Sequence, residues 1–166
     1  NDGKLDMYIT RSGTSIADIL LINNGNWAFT RSLVDITSEV STAFRSAAAV
    51  DYNRDGLLDI FVGNEPANLA PPSAPGFLFK NLNGNTLSKD VSSSLGTELI
   101  NSRIASWADY DNDGDQDLLT ANTVNPGQPM RLYKNNGDGT FTRVTGTAFD
   151  SDLMINTRTI SWGDID

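Results

Sequence analysis

Asp109-Tyr110-Asp111-Asn112-Asp113-Gly114-Asp115-Gln116-Asp117 sets five aspartates at alternate positions around one glycine. Positions one, three, five and nine carry side-chain oxygen, and position six is glycine. Asp51-Tyr52-Asn53-Arg54-Asp55-Gly56-Leu57-Leu58-Asp59 lines up on it without a gap, giving the shared pattern D-x-[DN]-x-D-G-x-x-D. Each copy follows a short approach that opens on arginine, Arg45-Ser46-Ala47-Ala48-Ala49-Val50 and Arg103-Ile104-Ala105-Ser106-Trp107-Ala108. The approach recurs at Arg158-Thr159-Ile160-Ser161-Trp162-Gly163 and runs into Asp164-Ile165-Asp166. Asn1-Asp2-Gly3-Lys4-Leu5-Asp6 reads as the remainder of the same loop, so the two ends joined spell D-I-D-N-D-G-K-L-D. Self-similarity of this kind is the signature of a repeat architecture.

A second motif lies downstream of every loop: Leu21-Ile22-Asn23-Asn24-Gly25, then Phe79-Lys80-Asn81-Leu82-Asn83-Gly84, then Tyr133-Lys134-Asn135-Asn136-Gly137-Asp138-Gly139-Thr140-Phe141. Asn/Gly turns between apolar runs mark β-hairpins. Equivalent loop positions are spaced by 53 (Asp2 to Asp55), 58 (Asp55 to Asp113) and 55 (Asp109 to Asp164), which together span all 166 residues. The longest repeat contains Ala70-Pro71-Pro72-Ser73-Ala74-Pro75-Gly76, which suits an exposed connection better than a strand. Leu57 to Val62, Phe77 to Phe79 and Asp117 to Thr120 are short apolar runs bounded by Gly, Asn or Pro, as strands are. Ser38 to Ala49 is the one stretch with room for a turn or two of helix. The expected class is all-β, with about four short strands in each of three repeats, 1–50, 51–108 and 109–163. Residues 164–166 begin the next.

Composition narrows the chemistry. With 39% hydrophobic residues the chain can bury a core, and its formal charge of −9 argues against a nucleic-acid or anionic-membrane surface. There is neither Cys nor His, which removes thiol chemistry, imidazole bases and most zinc or copper sites. No apolar stretch approaches the length of a membrane-spanning helix. What remains is hard, oxygen-based metal chemistry.

The loops have the form that chemistry needs. Calcium takes six to eight oxygens at about 2.3–2.6 Å, and a compact loop supplies them by alternating inward side chains around a sharp glycine turn. The second loop offers Asp51, Asn53, Asp55, the Leu57 carbonyl and Asp59. The third offers Asp109, Asp111, Asp113, the Asp115 carbonyl and Asp117. The split loop would draw Asp2, the Lys4 carbonyl and Asp6 from one segment and Asp164 and Asp166 from another. Twelve of the 21 acidic residues fall in these loops. Two carboxylates about 5 Å apart repel by about 3 kcal/mol at an effective dielectric near 20, and a divalent cation reverses that sign. Solvated acidic turns are the plain alternative, since Asp, Asn and Gly are ordinary turn residues. An EF-hand is excluded by position twelve, Val62 or Thr120 instead of glutamate, and magnesium demands a tighter octahedron. The expectation is about three calcium ions per chain, one of them shared across the chain ends. The carboxylates are committed to metal by their spacing, so no catalytic residue is expected.

The combination of D-x-D-x-D-G-x-x-D-L with L-Y-x-N-N-G-D-G-T-F in the third repeat resembles the VCBS and FG-GAP-like repeat family. The resemblance covers essentially the whole chain. It implies four-stranded blades of a β-propeller, as in integrin α-subunits and secreted bacterial proteins, with calcium in a hairpin loop between adjacent strands. The literal Phe-Gly and Gly-Ala-Pro signatures of the integrin version are absent.

Trp107 and Trp162 share one register, two residues before the first loop Asp, where the second repeat has Ala49. Repetition at a fixed register points to packing between blades, while Trp27 beside a hairpin turn is balanced between packing and carbohydrate contact. The functional expectation is an extracellular, calcium-stabilised structural or adhesive repeat array, part of a larger propeller or open filament. Its expected partners are copies of itself head to tail, with carbohydrate or cell-surface ligands as candidates and neither nucleic acid nor membrane insertion. The alternatives are the accessory portion of a larger secreted enzyme and a receptor-like binding propeller.

Overall fold

The apolar runs that follow each acidic loop become strands in the computed structural model, which describes residues 2–11, 18–32, 44–64, 76–83, 86–121, 129–151 and 157–166. The strands are β1 (Met7–Ile9), β2 (Ile19–Gly25), β3 (Ala28–Arg31), β4 (Phe44–Val50), β5 (Asp59–Asn64) and β6 (Phe77–Asn81). They continue with β7 (Leu87–Asp90), β8 (Ile104–Ala108), β9 (Asp117–Ala121), β10 (Arg131–Asn135) and β11 (Phe141–Val144). Two single-turn helices, α1 (Ser94–Thr97) and α2 (Ala148–Ser151), sit after the second and third sheets. The protein is all-β, and its three antiparallel sheets run β1-β2-β3, β4-β5-β6-β7 and β8-β9-β10-β11.

The sheets straddle the sequence repeats by one strand. The approach segment before a loop pairs with the strand after it, so Val50 lies opposite Asp59 and Ala108 opposite Asp117. Each intact loop is therefore the turn between the first two strands of a four-stranded sheet. The first sheet has three strands among the described residues, against the four expected per repeat: β4 belongs to the next sheet, and no described strand precedes β1. The turn of helix expected over Ser38 to Ala49 is not formed where it can be checked: from Phe44 onward this stretch is β4. Pairing along the whole of β5 overrides the weak strand preference of three alanines. Residues 38–43 and the proline-rich 70–75 lie outside the described residues.

Burial on both faces explains the continuous apolar runs. Ile60 and Val62 of β5 turn toward the first sheet, packing with Phe77, Phe79, Tyr8 and Leu20. Phe61 between them faces the third sheet and joins Leu78, Leu118, Tyr133 and Phe141 in the main core. Leu119 and Leu132 face the other way, against Ile160. The sheets thus stack face to face. Full burial of Phe61, Leu78 and Leu118 contributes roughly 1.5–3 kcal/mol each. Trp107 fills the space between the second and third sheets, edge-on to Phe61 at 6.3 Å and 6.0 Å from Phe141. This is the inter-blade packing its register implied. Gly63 is required where the segment leading into β8 crosses: a Cβ there would stand 2.5 Å from the Ser102 carbonyl oxygen.

Candidate metal centre

The loops curl because two of their residues adopt left-handed backbone. Position six is glycine in both intact loops, Gly56 at φ +83° and Gly114 at +90°, and Gly3 at +80° is its counterpart in the first half-loop. Position four is left-handed as well, Arg54 at +57° and Asn112 at +58°. Asparagine tolerates this conformation; for an arginine it costs on the order of 1 kcal/mol. The curl turns amide N–H groups onto the loop carboxylates. Asp51 accepts from Asp55 N–H at 3.1 Å and from Gly56 N–H at 2.9 Å. Asp109 accepts from Asp113 at 3.0 Å and Gly114 at 2.9 Å. Position five accepts from position seven in all three copies: Leu57 N–H to Asp55 at 2.9 Å, Asp115 N–H to Asp113 at 2.9 Å, and Lys4 N–H to Asp2 at 3.0 Å. Asn53 accepts from Asp55 N–H at 3.0 Å.

Position nine forms the floor. Asp59 and Asp117 are fully buried at the start of their strands, and Asp6 is their exposed equivalent. An asparagine toward the end of β2, β6 or β10 clamps each one. The backbone N–H groups of Asn23, Asn81 and Asn135 donate to Asp6, Asp59 and Asp117 at 2.8, 2.7 and 2.8 Å. The same asparagines donate Nδ2 to the position-eight carbonyls, Leu5 at 3.0 Å and Leu58 and Gln116 at 3.2 Å. Their Oδ1 atoms accept from the residue two further on, Gly25 at 2.8 Å, Asn83 at 3.3 Å and Gly137 at 3.1 Å. Asn135 also donates to the Tyr52 carbonyl at 2.8 Å, joining the third sheet to the second loop. These asparagines were visible in the sequence as hairpin residues. Their hold on the acidic loop was not, although both motifs recur together in every repeat.

Burial pushes Asp59 up to about 6, against the Asn81 N–H bond and with the Asp55 and Asp51 charges adding to it. Burial likewise raises Asp117, opposed by the Asn135 and Tyr110 N–H groups. A carboxylate placed where its ionised form is disfavoured gains most from a cation. Basic side chains already lean in. Lys134 Nζ bridges Asp111 and Asp113, the latter at 2.7 Å, and both bonds hold the lysine charged. Lys80 Nζ lies 3.8 Å from Asp55, and Lys4 Nζ 2.8 Å from Asp2. Arg54 reaches from the second loop to Asp115 at 2.8 Å, so the charge that Asp115 adds beside the third loop is offset.

These residues fit a calcium ion. Oxygens of Asp109, Asp111 and Asp117 all lie within 4.8 Å of one another, and two ligands on opposite sides of one calcium ion are about 5 Å apart. Oδ2 of Asp59 is buried without a hydrogen bond of good geometry among the described residues, leaving a lone pair for a metal. The carboxylates of Asp51, Asp55 and Asp59 in the second loop are not gathered as closely among the described residues, and Leu57 and Asp115 occupy position seven of their loops. The two half-loops differ: Asp164 and Asp166 are exposed and, among the described residues, do not cluster with Asp2 and Asp6.

Stacked antiparallel sheets, the second and third each folded around an acidic turn between its first two strands, define a blade-type β-repeat protein. The FG-GAP-like repeat model matches residues 1–62 and 109–166, well over half of the chain, and the chain belongs to that family. Both matched segments start in one acidic loop and run to the next, and the stretch with the proline-rich insertion lies outside them. No curated protein matches the chain. Among the described residues no helix is long and apolar enough to cross a membrane.

Proposed function

We propose that the chain is a calcium-stabilised structural segment of an extracellular repeat protein, in which each intact acidic loop holds one calcium ion and stiffens one sheet. The observation that carries this reading is the pair of buried position-nine carboxylates, Asp59 and Asp117, each fixed by an asparagine clamp beneath further oxygen ligands. Asp51, Asn53, Asp55 and the Leu57 carbonyl would complete the second site. Asp109, Asp111, Asp113 and the Asp115 carbonyl would complete the third. The ion's part is charge neutralisation and cross-linking of loop to strand, and the protein's part is to hold the oxygens in place. The half-loops Asp2 to Asp6 and Asp164 to Asp166 extend the reading: copies of the chain or of its repeat would meet head to tail and share an ion, presenting their exposed faces to carbohydrate or cell-surface ligands.

Calorimetric titration with calcium tests it. The wild type is expected to show saturable binding, and Asp59→Asn and Asp117→Asn each to remove one intact-loop site while leaving the other. Absence of calcium binding, or unchanged stoichiometry in both variants, would refute the proposal.

A further inference from the structure

The repeat that lacks a tryptophan has a cavity where the tryptophan would be. Trp107 pairs with Leu118 and occupies the space between the second and third sheets, against Phe61 and Phe141. Ala49 has the same register in β4, where it pairs with Ile60. Tyr8 and Leu87 stand where the third repeat's tryptophan finds Phe61 and Phe141. Between the first and second sheets lies a cavity of about 350 Å³, lined by Tyr8, Leu20, Ala47, Ala49, Ile60 and Leu87 among others. Ala105 and Trp107 are partly buried against the main core, with β4 beside β8, whereas Ala47 and Ala49 are exposed and no first-sheet strand among the described residues takes the corresponding place beside β4.

We propose that this cavity is a binding site for a small neutral aromatic molecule, of the size of an indole, which takes the place the repeat otherwise gives to a tryptophan ring. Its volume lies within the usual range of small-molecule sites, roughly 300–1,000 Å³. A dry apolar cavity of about 150 Å³ already suffices for benzene. Tyr8, Leu20, Ile22, Ile60 and Leu87 give it an apolar wall, Lys4, Asp6 and Asn81 a polar one, and the Tyr8 ring is held in position because its hydroxyl donates to Asp18 at 2.9 Å. At the rim the Lys4 ammonium is already paired with Asp2 at 2.8 Å, and the Asp6 carboxylate disfavours an anion. Leu5 and Leu58, 86% and 51% exposed, flank these charges and give the mouth apolar surface as well.

The test is a titration of the isotope-labelled whole chain with indole, followed by amide chemical shifts, beside a parallel titration with the peptide Gly-Trp-Gly. Indole is expected to shift the Ala47, Ala49 and Leu87 amides saturably. Ala49→Trp should fill the site from within, weakening indole binding by roughly tenfold or more and raising the melting temperature. Leu87→Phe, a smaller change that restores the third repeat's residue, should weaken binding to a lesser degree and decides the matter if Ala49→Trp does not fold. Unsaturable or scattered shifts, or undiminished indole affinity in the folded variants, would overturn the proposal. Binding of the peptide without binding of indole would also overturn it, in favour of a side chain from a partner protein.

Discussion

Asn135→Ala should be among the most damaging single substitutions outside the apolar core. The buried side chain donates to the Tyr52 carbonyl at 2.8 Å and the Gln116 carbonyl at 3.2 Å, and accepts from Gly137 N–H at 3.1 Å. A net intramolecular hydrogen bond is worth about 1 kcal/mol, and a buried group left unpaired costs as much again or more, so the expected loss is about 3 kcal/mol. For a domain of this size that lowers the melting temperature by about 6–12 °C. The repeat supplies internal controls. Asn81 is nearly as buried, with longer bonds of 3.2 and 3.3 Å, and Asn23 is only half-buried. Asn81→Ala should therefore cost less than Asn135→Ala, and Asn23→Ala least, in calorimetric melts at one fixed calcium concentration. A reversed order, or a loss at Asn135 within a degree of wild type, would show that the clamp is an accident of the hairpin and not a fixture of the loop.

Three further outcomes follow from the same geometry. Trp27 is 98% exposed at φ +64°, in the register that the third repeat gives to Gly139, so Trp27→Gly should stabilise the fold by about 1 kcal/mol in denaturant titrations. Lys134→Met removes an ammonium that bridges Asp111 and Asp113, and it should tighten calcium binding at the third loop a few-fold while leaving the second unchanged. In chelator, the folded state holds the Asp59 proton more tightly than the unfolded chain, since its value rises from 3.8 to about 6. This contribution is therefore full below pH 4 and is lost as pH rises through 6. Asp59→Asn should flatten that part of the metal-free stability profile, and saturating calcium should reverse it by favouring the carboxylate.

The architecture was legible because the signals were local and repeated. The D-x-[DN]-x-D-G-x-x-D loops and the Asn/Gly turns fix where strands start and stop, and the apolar runs at Ile60 to Val62 and Leu118 to Leu119 mark strands buried on both faces. The register of Trp107 foretold its packing. Tertiary pairings were harder to read. Three consecutive alanines carry little strand preference, and β4 exists because β5 pairs with it along its length. The bridges of Lys134 to Asp111 and Asp113 span 23 and 21 residues, and that of Arg54 to Asp115 joins two repeats, so no spacing rule within one loop could reveal them. The asparagine clamps were seen as turns because their donors reach back 17 to 22 residues to the acidic loop.

The central claim is that these loops hold calcium and that the held ion stabilises the sheets. A ligand that binds only the folded state at one hundred times its dissociation constant adds about 2.7 kcal/mol per site. Scanning calorimetry of the whole chain in excess calcium and in excess chelator measures this directly. The expected melting temperature is higher in calcium by several degrees, with the gain halved in Asp117→Asn and lost when Asp59→Asn is combined with it. Superimposable melting curves in calcium and in chelator would contradict it.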